Sequence, residues 1–280
     1  MTAIRGAIVV LLLATVLPVH SYAQTVAAAP APQLSAEQIK DFLKNAKVIR
    51  SRTTSKGVTA PKRLTLTDGV ITHDAIFQSV DDKQMVANLG GGGRQAKTEL
   101  NFVDSYRYNL AAYALAELLG LDYMMPVYVE RRWSGSTGSI GWWVTTLMDE
   151  SDRLKKKVQP PNPTDWNNQM YRMRVFTALV RDTDRNLTNV LITPEWKVFM
   201  IDFTRGFRLQ PELMYNKDLA KMDRVLWGKL QALDRSEVKT AVRDWLTNSE
   251  IDAMMKRRDL LVAHFSKLIA ESSEEKVLYN

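Results

Sequence analysis

Apolar and polar residues alternate with the period of a β-strand in the first half of the chain. Leu64-Thr65-Leu66 alternates, Ala75-Ile76-Phe77 follows, and Asp68-Gly69 between them is typical of a hairpin turn. Two more strands are predicted at residues 127–133 and 140–147, on either side of a Gly- and Ser-rich turn. The pattern therefore predicts a strand-rich N-terminal half.

Two segments of the same half have helical spacing instead. Residues 35–46 predict a short amphipathic helix with Ser35 as its cap. A stronger helix is predicted to begin at a cap formed by Asp104 or Ser105 and to end at Gly120. We expect residues 81–97, which contain four consecutive glycines at 90–93, to form a loop. The apolar face of the stronger helix comprises Tyr108, Ala111, Ala112, Leu115, Leu118 and Leu119.

Helical patterns dominate the second half. Residues 167–180 predict a helix preceded by the capping residues Thr164 and Asp165, and a polar loop then leads into a tight hairpin at 190–201. Further helices are predicted at about 217–233, 236–246 and 249–270. The expected fold class is α+β, with a strand-rich N-terminal half that carries one long helix and a mainly helical C-terminal half.

The N-terminus has the pattern of a secretory signal peptide. Arg5 precedes an apolar run of 14 residues at 6–19, and Ser21-Tyr22-Ala23 supplies small residues for cleavage after Ala23. The run is shorter than the roughly 20 residues of a membrane-spanning helix, so an uncleaved anchor is the less favoured alternative. We therefore expect residues 1–23 to be a signal peptide and 24–46 a tether with a short helix. The expected location is secreted or periplasmic, with no stable membrane insertion after cleavage.

Composition limits the chemistry that the chain can perform. Among 280 residues, of which 45% are hydrophobic and 25% charged, there is no cysteine and only three histidines. Disulfides, thiolate metal sites and a cysteine nucleophile are excluded, and histidine-based catalysis nearly so. The net charge of +7 is spread thinly, and its densest cluster, at Lys155-Lys156-Lys157, reads as a solvated loop. We therefore expect no nucleic-acid partner.

Three oxygen-bearing side chains surround the predicted hairpin at 190–201. Asp184 and Asn189 lie in the loop before it, and Asp202 follows its second strand. Because a two-stranded hairpin returns the chain to its start, Asp202 should emerge near Asn189. A carboxylate and an amide oxygen facing one point suit Mg²⁺, and Asp184 is free to accept a proton from a hydroxyl. This is the equipment that phosphoryl transfer requires.

The spacing of these residues resembles a kinase catalytic loop followed by its metal-binding motif. The form Asp-Arg-x-x-x-Asn with Ile201-Asp202-Phe203 is similar to phosphoinositide lipid kinases and HipA-type kinases. Residues 201–207 are also similar to the L-D-N-G-R-G-F segment of the Golgi casein kinase (secretory-pathway kinase) family, and residues 108–121 resemble its E-V-A-A-F-x-L-x-x-x-L-G helix. The similarity extends loosely from about residue 63 to residue 207.

The resemblance implies a two-lobed protein-kinase-like fold, with an N-lobe at 47–150 and a C-lobe at 151–280. It implies that Asp184 is the catalytic aspartate, that Asn189 and Asp202 are the metal-side ligands, and that the cofactor is ATP with Mg²⁺ or Mn²⁺. The segment Met148-Asp149-Glu150 would lie where the inter-lobe hinge meets adenine. The acceptor would be a hydroxyl of a protein or a small molecule.

The chain departs from the family pattern at two positions on the nucleotide side. Gln78 stands where the family has a strand lysine, and Asn109 aligns with the helix glutamate that positions this lysine. Two neutral amides would then replace an ion pair, and we expect them to hydrogen-bond to one another. Lys83 or Lys97 is a possible substitute cation. We accordingly expect an active atypical kinase or, as the alternative, a pseudokinase that acts as a binding or scaffold module; a third interpretation is an unrelated α+β envelope protein that matches the motif by chance.

Overall fold

The computed structural model describes residues 34–54, 61–89, 97–214 and 216–280, with the backbone alone for 85–89, 97–101 and 216. The predicted signal peptide, nearly all of the tether and the four glycines lie outside the described residues.

An antiparallel sheet forms most of the N-terminal half. Its strands are β1 Lys47–Thr53, β2 Lys62–Thr67, β3 Thr72–Gln78, β6 Tyr128–Trp133 and β7 Ser136–Trp142. They follow the order β1-β2-β3-β7-β6, and every neighbouring pair is antiparallel. The hairpin predicted at Asp68-Gly69 joins β2 to β3, and Gly69 has the positive φ of 93° that this turn requires. The strand predicted at 140–147 lies four to five residues earlier in the chain, because residues 136–142 are the ones that pair with β6 and β3.

The first helix, α1 (Ala36–Asn45), covers one face of this sheet. Ser35 caps it as predicted, in a capping box with Gln38. Phe42 and Leu43 pack against the inward-facing strand residues. Arg131 on β6 donates hydrogen bonds to the carbonyl of Leu43 and to the carbonyl of Ala46, both at 2.8 Å. The helix is therefore held both by an apolar core and by a charged side chain at its C-terminal end.

The prediction of a loop at residues 81–97 is wrong. β4 (Asp81–Leu89) and β5 (Lys97–Ser105) form a separate antiparallel ribbon. The sequence gives little sign of it because Asp81, Asp82 and Lys83 are polar in succession, without the alternation of a strand that buries one face.

The long helix of this half, α2 (Arg107–Leu119), ends as predicted at Gly120, whose φ of 67° forms a left-handed C-cap. Its predicted start is wrong, because Asp104 and Ser105 belong to β5 and no side chain caps the helix at Tyr106. The Ser105 hydroxyl instead accepts a hydrogen bond from the backbone N–H of Arg107, at 3.3 Å.

The C-terminal half is mainly helical. Its first long helix begins at Pro163, with Asn162 as the cap in place of the predicted Thr164 or Asp165. The helix expected at 217–233 is shorter, since a 3-10 turn at Asn216–Asp218 and a short strand precede it. The elements are β8 Met148–Asp149, α3 Glu150–Lys155, α4 Pro163–Val180, β9 Val190–Ile192, β10 Val198–Met200, β11 Met222–Asp223, α5 Arg224–Ala232, α6 Arg235–Val242, α7 Asn248–Glu271, α8 Glu274–Val277 and β12 Leu278–Tyr279.

The main core links the two halves. It joins the buried face of α2 to residues of α4, α7 and the β9–β10 hairpin. The predicted class is confirmed: a strand-rich N-terminal part with one long helix stands against a helical C-terminal part. Among the described residues, none of the helices combines the length and the apolar character needed to cross a membrane.

Replacing Leu43 with alanine should destabilise the protein substantially. Leu43 is fully buried between α1 and the sheet, so its loss leaves a cavity, and we expect the free energy of unfolding to fall by about 2–5 kcal/mol in urea denaturation. Leu260→Ala is the control, because Leu260 on α7 is 44% exposed and its truncation should cost about 0.5 kcal/mol or less. Equal losses in the two variants would show that α1 does not contribute to the core.

Candidate active site

The loop after α4 holds Asp184 and Asn189 on one turn. Arg181 adopts a left-handed conformation with φ 47° and ends the helix. The Asp182 side chain then accepts a hydrogen bond from the backbone N–H of Asp184 at 3.0 Å. The side-chain amide of Asn189 donates to the backbone carbonyl of Asp184 at 3.3 Å. The two predicted site residues of this loop therefore lie at either end of a closed turn.

The buried side chain of Arg185 connects this turn to the strand that precedes Asp202. The guanidinium of Arg185 lies 2.5 Å from the carboxylate of the fully buried Asp182. Arg185 also donates to the backbone carbonyls of Asn189 (3.0 Å) and Ile201 (2.6 Å). Its guanidinium stands 4.2 Å from the centre of the Phe203 ring. The guanidinium of Arg185 thus contacts both the loop and the end of the hairpin.

Sequence reasoning missed Asp182. Burial raises the pKa of its carboxyl, and the positive charge of Arg185 acts in the opposite direction. The only signal in the sequence is an aspartate three residues before an arginine at a predicted helix end. Such a pair is common on protein surfaces, so its burial could not be inferred.

Asp202 emerges beside Asn189, as the hairpin geometry predicts. The backbone N–H of Ile201 donates to the carbonyl of Asn189 at 3.1 Å. Asp202 has φ 58°, a left-handed conformation that aspartate tolerates better than most residues. Its Oδ1 accepts hydrogen bonds from the Thr204 hydroxyl (3.0 Å) and from the Gln78 amide (3.3 Å).

Gln78 and Asn109 form the hydrogen bond that the sequence predicts. The Asn109 Nδ2 donates to Gln78 Oε1 at 2.6 Å and to the Ser139 hydroxyl at 3.2 Å. Its Oδ1 accepts from the backbone N–H of Phe203 at 2.8 Å. Both amides are buried, so a neutral network joins β3, α2 and β7 to the residue that follows Asp202.

One more carboxylate lies close to this network. Asp104, at the end of β5, is 9% exposed, and its Oδ1 has no hydrogen-bond partner among the described residues. Burial raises the pKa of Asp104, and the charges of Asp202 and Asp184 act in the same direction. Sequence reasoning treated this residue only as a possible helix cap.

The oxygen donors of Asn189 and Asp202 fit a hard divalent cation. Because the Asn189 amide nitrogen donates to Asp184, its oxygen is left for another partner. Within the described part of the chain, no three His, Cys, Asp or Glu side chains form a group that could hold a metal ion. Mg²⁺ usually keeps several waters and is held by one or two carboxylates together with substrate phosphates. These residues suit an ion bound in that way.

The segment expected to contact adenine lies next to the catalytic-type turn. β8 pairs with β9, which begins directly after Asn189. The Asp149 side chain caps α3 by accepting the N–H of Asp152 at 2.8 Å, and Glu150 pairs with Arg153 at 2.6 Å. Both carboxylates thus stabilise α3, and nucleotide contact by Met148, Asp149 and Glu150 stays a prediction.

Replacement of the strand lysine by Lys83 or Lys97 stays a prediction. Lys83 is exposed on β4, and within the described residues it makes no hydrogen bond or ion pair with the residues of the site. The Lys97 side chain lies outside the described residues.

The fold places the chain among atypical kinase-like structures. It is similar to Fam20 of hydra, solved with sugar, at 14% identity over 87% of this chain and 92% of that chain, with a TM-score of 0.63. It is also similar to the Helicobacter pylori proinflammatory kinase CtkA, at 9% identity over 82% of this chain and 98% of that chain, with a TM-score of 0.50. No protein-family model and no curated protein sequence matches. At these identities the likeness shows the fold.

Replacing Asn109 with alanine should lower the free energy of unfolding. Asn109→Ala strands the N–H of Phe203 together with the Gln78 and Ser139 side chains. Each buried polar group left unpaired costs about 1–3 kcal/mol, so we expect urea denaturation to show a loss of at least about 2 kcal/mol. Asn167→Ala, at an exposed position of α4, should change stability little. A cost for Asn109→Ala no larger than that of the control would mean that the network is not stabilising.

Proposed function

We propose that this chain is an exported atypical kinase-like phosphotransferase. It would transfer the γ-phosphoryl group of ATP, bound with Mg²⁺ or Mn²⁺, to a hydroxyl of a protein or a small molecule. The observation that supports this function most directly is the shared arginine. Arg185 bonds to the carbonyls on both sides of the site, which keeps the Asp184–Asn189 turn against the strand end that carries Asp202.

The roles proposed for the side chains follow from their surroundings. Among the described residues, the Asp184 carboxylate receives no hydrogen bond, so it is available to accept the proton of an acceptor hydroxyl. The acceptor oxygen would form a bond to the γ-phosphorus while the bond to the β-phosphate oxygen breaks and ADP leaves. Asn189 and Asp202 would hold the cation, whose chemistry is to neutralise the phosphate oxygens. Arg185 would hold the turn that carries Asp184 and Asn189 in a fixed position relative to Asp202.

Export is proposed from residues 1–23. Their order of a basic residue, an apolar run and small residues is that of a signal peptide. The resemblance of residues 108–121 and 201–207 to the Golgi casein kinase (secretory-pathway kinase) family is consistent with a protein that works outside the cytosol. A secreted or periplasmic location requires that nucleotide be present in that compartment.

A pseudokinase is the second candidate, and the Gln78–Asn109 pair favours it. Both groups are neutral, so this part of the site supplies no positive charge to the α- and β-phosphates. Such a chain would bind a nucleotide weakly or not at all, and would act as a binding or scaffold module. The two candidates differ in nucleotide binding and in group transfer.

ATP with Mn²⁺ should stabilise the protein against heat. A ligand present at about 100 times its dissociation constant adds about 2.7 kcal/mol of stability. Asp202→Asn should abolish this gain, because asparagine keeps the left-handed backbone but removes the charge. Thermal unfolding of both proteins, with and without ATP and Mn²⁺, measures the effect.

Asp244→Asn is the matched control, since the side chain of Asp244 is 80% exposed. It should respond to ATP and Mn²⁺ as the unmodified protein does. No stabilisation of the unmodified protein at millimolar ATP would exclude the phosphotransferase and leave the pseudokinase.

Asp184→Asn should separate catalysis from binding. The change removes the base but leaves the backbone bonds of the turn, so ATP-induced stabilisation should persist. Transfer of label from γ-labelled ATP to the protein itself or to added hydroxyl acceptors should fall by about 10²–10⁴-fold. Unmodified protein that binds ATP and transfers no label would instead identify a nucleotide-binding pseudokinase.

A further inference from the structure

The face of the sheet that bears Gln78 also bears a group of charged side chains. Successive residues of a strand point to opposite faces, so Asp74 and Ile76 on β3 share the face of Gln78. This face looks toward the candidate site, because the Gln78 side chain is hydrogen-bonded to Asn109 and Asp202. Side chains that contact Asp74 therefore lie on the site-facing side of the sheet.

Three side chains from β1 and β2 contact Asp74 on this side. Arg63 Nε donates to Asp74 Oδ2 at 2.6 Å, and the Thr65 hydroxyl donates to Oδ1 at 2.6 Å. Arg52 Nη2 lies further away, 3.4 Å from Oδ2, and 49% of the Arg52 side chain is exposed. Since Asp74 is already bonded to Arg63 and Thr65, it compensates the charge of Arg52 only in part.

Arg50 adds a further positive charge to the same side. It pairs with Thr65 in the register of β1 and β2, and it lies two residues before Arg52 on one strand. Its side chain is exposed, and within the described part of the chain no carboxylate forms an ion pair with it. Three guanidinium groups therefore stand beside one carboxylate, at the edge of the sheet formed by β1.

The arrangement of these arginines has a cost that a bound anion would remove. Arg52 and Arg63 are direct partners in the register, and like charges at such a pair are destabilising. Arg63 is fixed in place, because its guanidinium lies 3.9 Å from the centre of the Trp143 ring as well as against Asp74. A guanidinium group binds two phosphate oxygens through parallel N–H groups, so this surface suits a polyanion.

We infer that Arg50, Arg52 and Arg63 form a polyphosphate-binding surface, in which Arg50 and Arg52 contact the phosphates and Arg63 holds the surface in shape. The inference rests on the proposed function, because it identifies the polyphosphate as that of the nucleotide. Arg63 is the register partner of Ile76, which lies about 7 Å along β3 from Gln78. The arginines thus supply, from β1 and β2, positive charge that Gln78 does not supply from β3.

The test measures binding of inorganic tripolyphosphate to the full chain by calorimetry, in metal-free buffer so that no cation links the protein to the probe. Arg52→Gln should lower the affinity at least about tenfold, because a charged donor is lost. Arg52→Lys keeps the charge without the planar fork and should retain part of the affinity. Both variants should melt near the temperature of the unmodified protein, since the exposed ion pair at 3.4 Å contributes little.

Two further variants complete the test. Arg50→Gln removes an exposed side chain and should also lower the affinity for tripolyphosphate, which keeps the test decisive if Arg52→Gln does not fold. Arg243→Gln is the matched control, because it removes a positive charge that follows α6 and is 69% exposed. The control should bind tripolyphosphate as the unmodified protein does. ATP should displace tripolyphosphate from the unmodified protein.

Four outcomes would overturn the inference. The unmodified protein could fail to bind tripolyphosphate at millimolar concentration. Arg50→Gln and Arg52→Gln could bind it as tightly as the unmodified protein, in which case the arginines only keep the edge strand from pairing with other chains. Arg243→Gln could lose as much affinity, which would make binding an effect of net charge. ATP could fail to displace tripolyphosphate, so that the surface holds no nucleotide.

Failure of the proposed function gives a different result. If ATP displaces tripolyphosphate and its binding depends on Arg52, but no label is transferred from γ-labelled ATP, the inference stands and the proposed phosphotransferase falls.

Discussion

The side-chain amide of Asn109 joins the parts of the site, and the remaining geometry depends on it. From its fully buried position on α2 it accepts the N–H of Phe203 and donates to Gln78 and Ser139. An amide can do this because it carries both donors and an acceptor. A carboxylate at the same place could only accept, and it would require a cation opposite to it. The helix, the sheet and the segment after Asp202 are thus held together without charge.

The neutral side chains of Gln78 and Asn109 preserve the shape of the site but alter its electrostatics. A buried ion pair has a desolvation penalty that often exceeds its Coulomb attraction, so exchange for two amides need not weaken the fold. Positive charge beside a polyphosphate is a different requirement. Arg185 already neutralises Asp182 and bonds to backbone carbonyls. Under the proposed function, the positive charge beside the phosphates would therefore come from cations in solution and from the arginines of β1 and β2.

Strong periodicity made much of the fold predictable. The face of α2, the cap of α1 at Ser35 and the hairpin that brings Asp202 to Asn189 all follow from local patterns. The β4–β5 ribbon could not be predicted in this way, since it depends on pairing between segments rather than on burial of one face. Asp104 was missed for the same reason: its neighbours are set by that pairing and by the contact of Ser105 with Thr204.

Several of the hydrogen bonds that shape the site have a backbone group at one end. Arg185 bonds to two carbonyls, Asn109 to an N–H, and Ile201 to the carbonyl of Asn189. Backbone partners are present whatever the sequence, so these contacts tolerate change around them. Contacts between two side chains have no such protection. Positions such as Gln78 are therefore where chemistry can change while the fold stays the same.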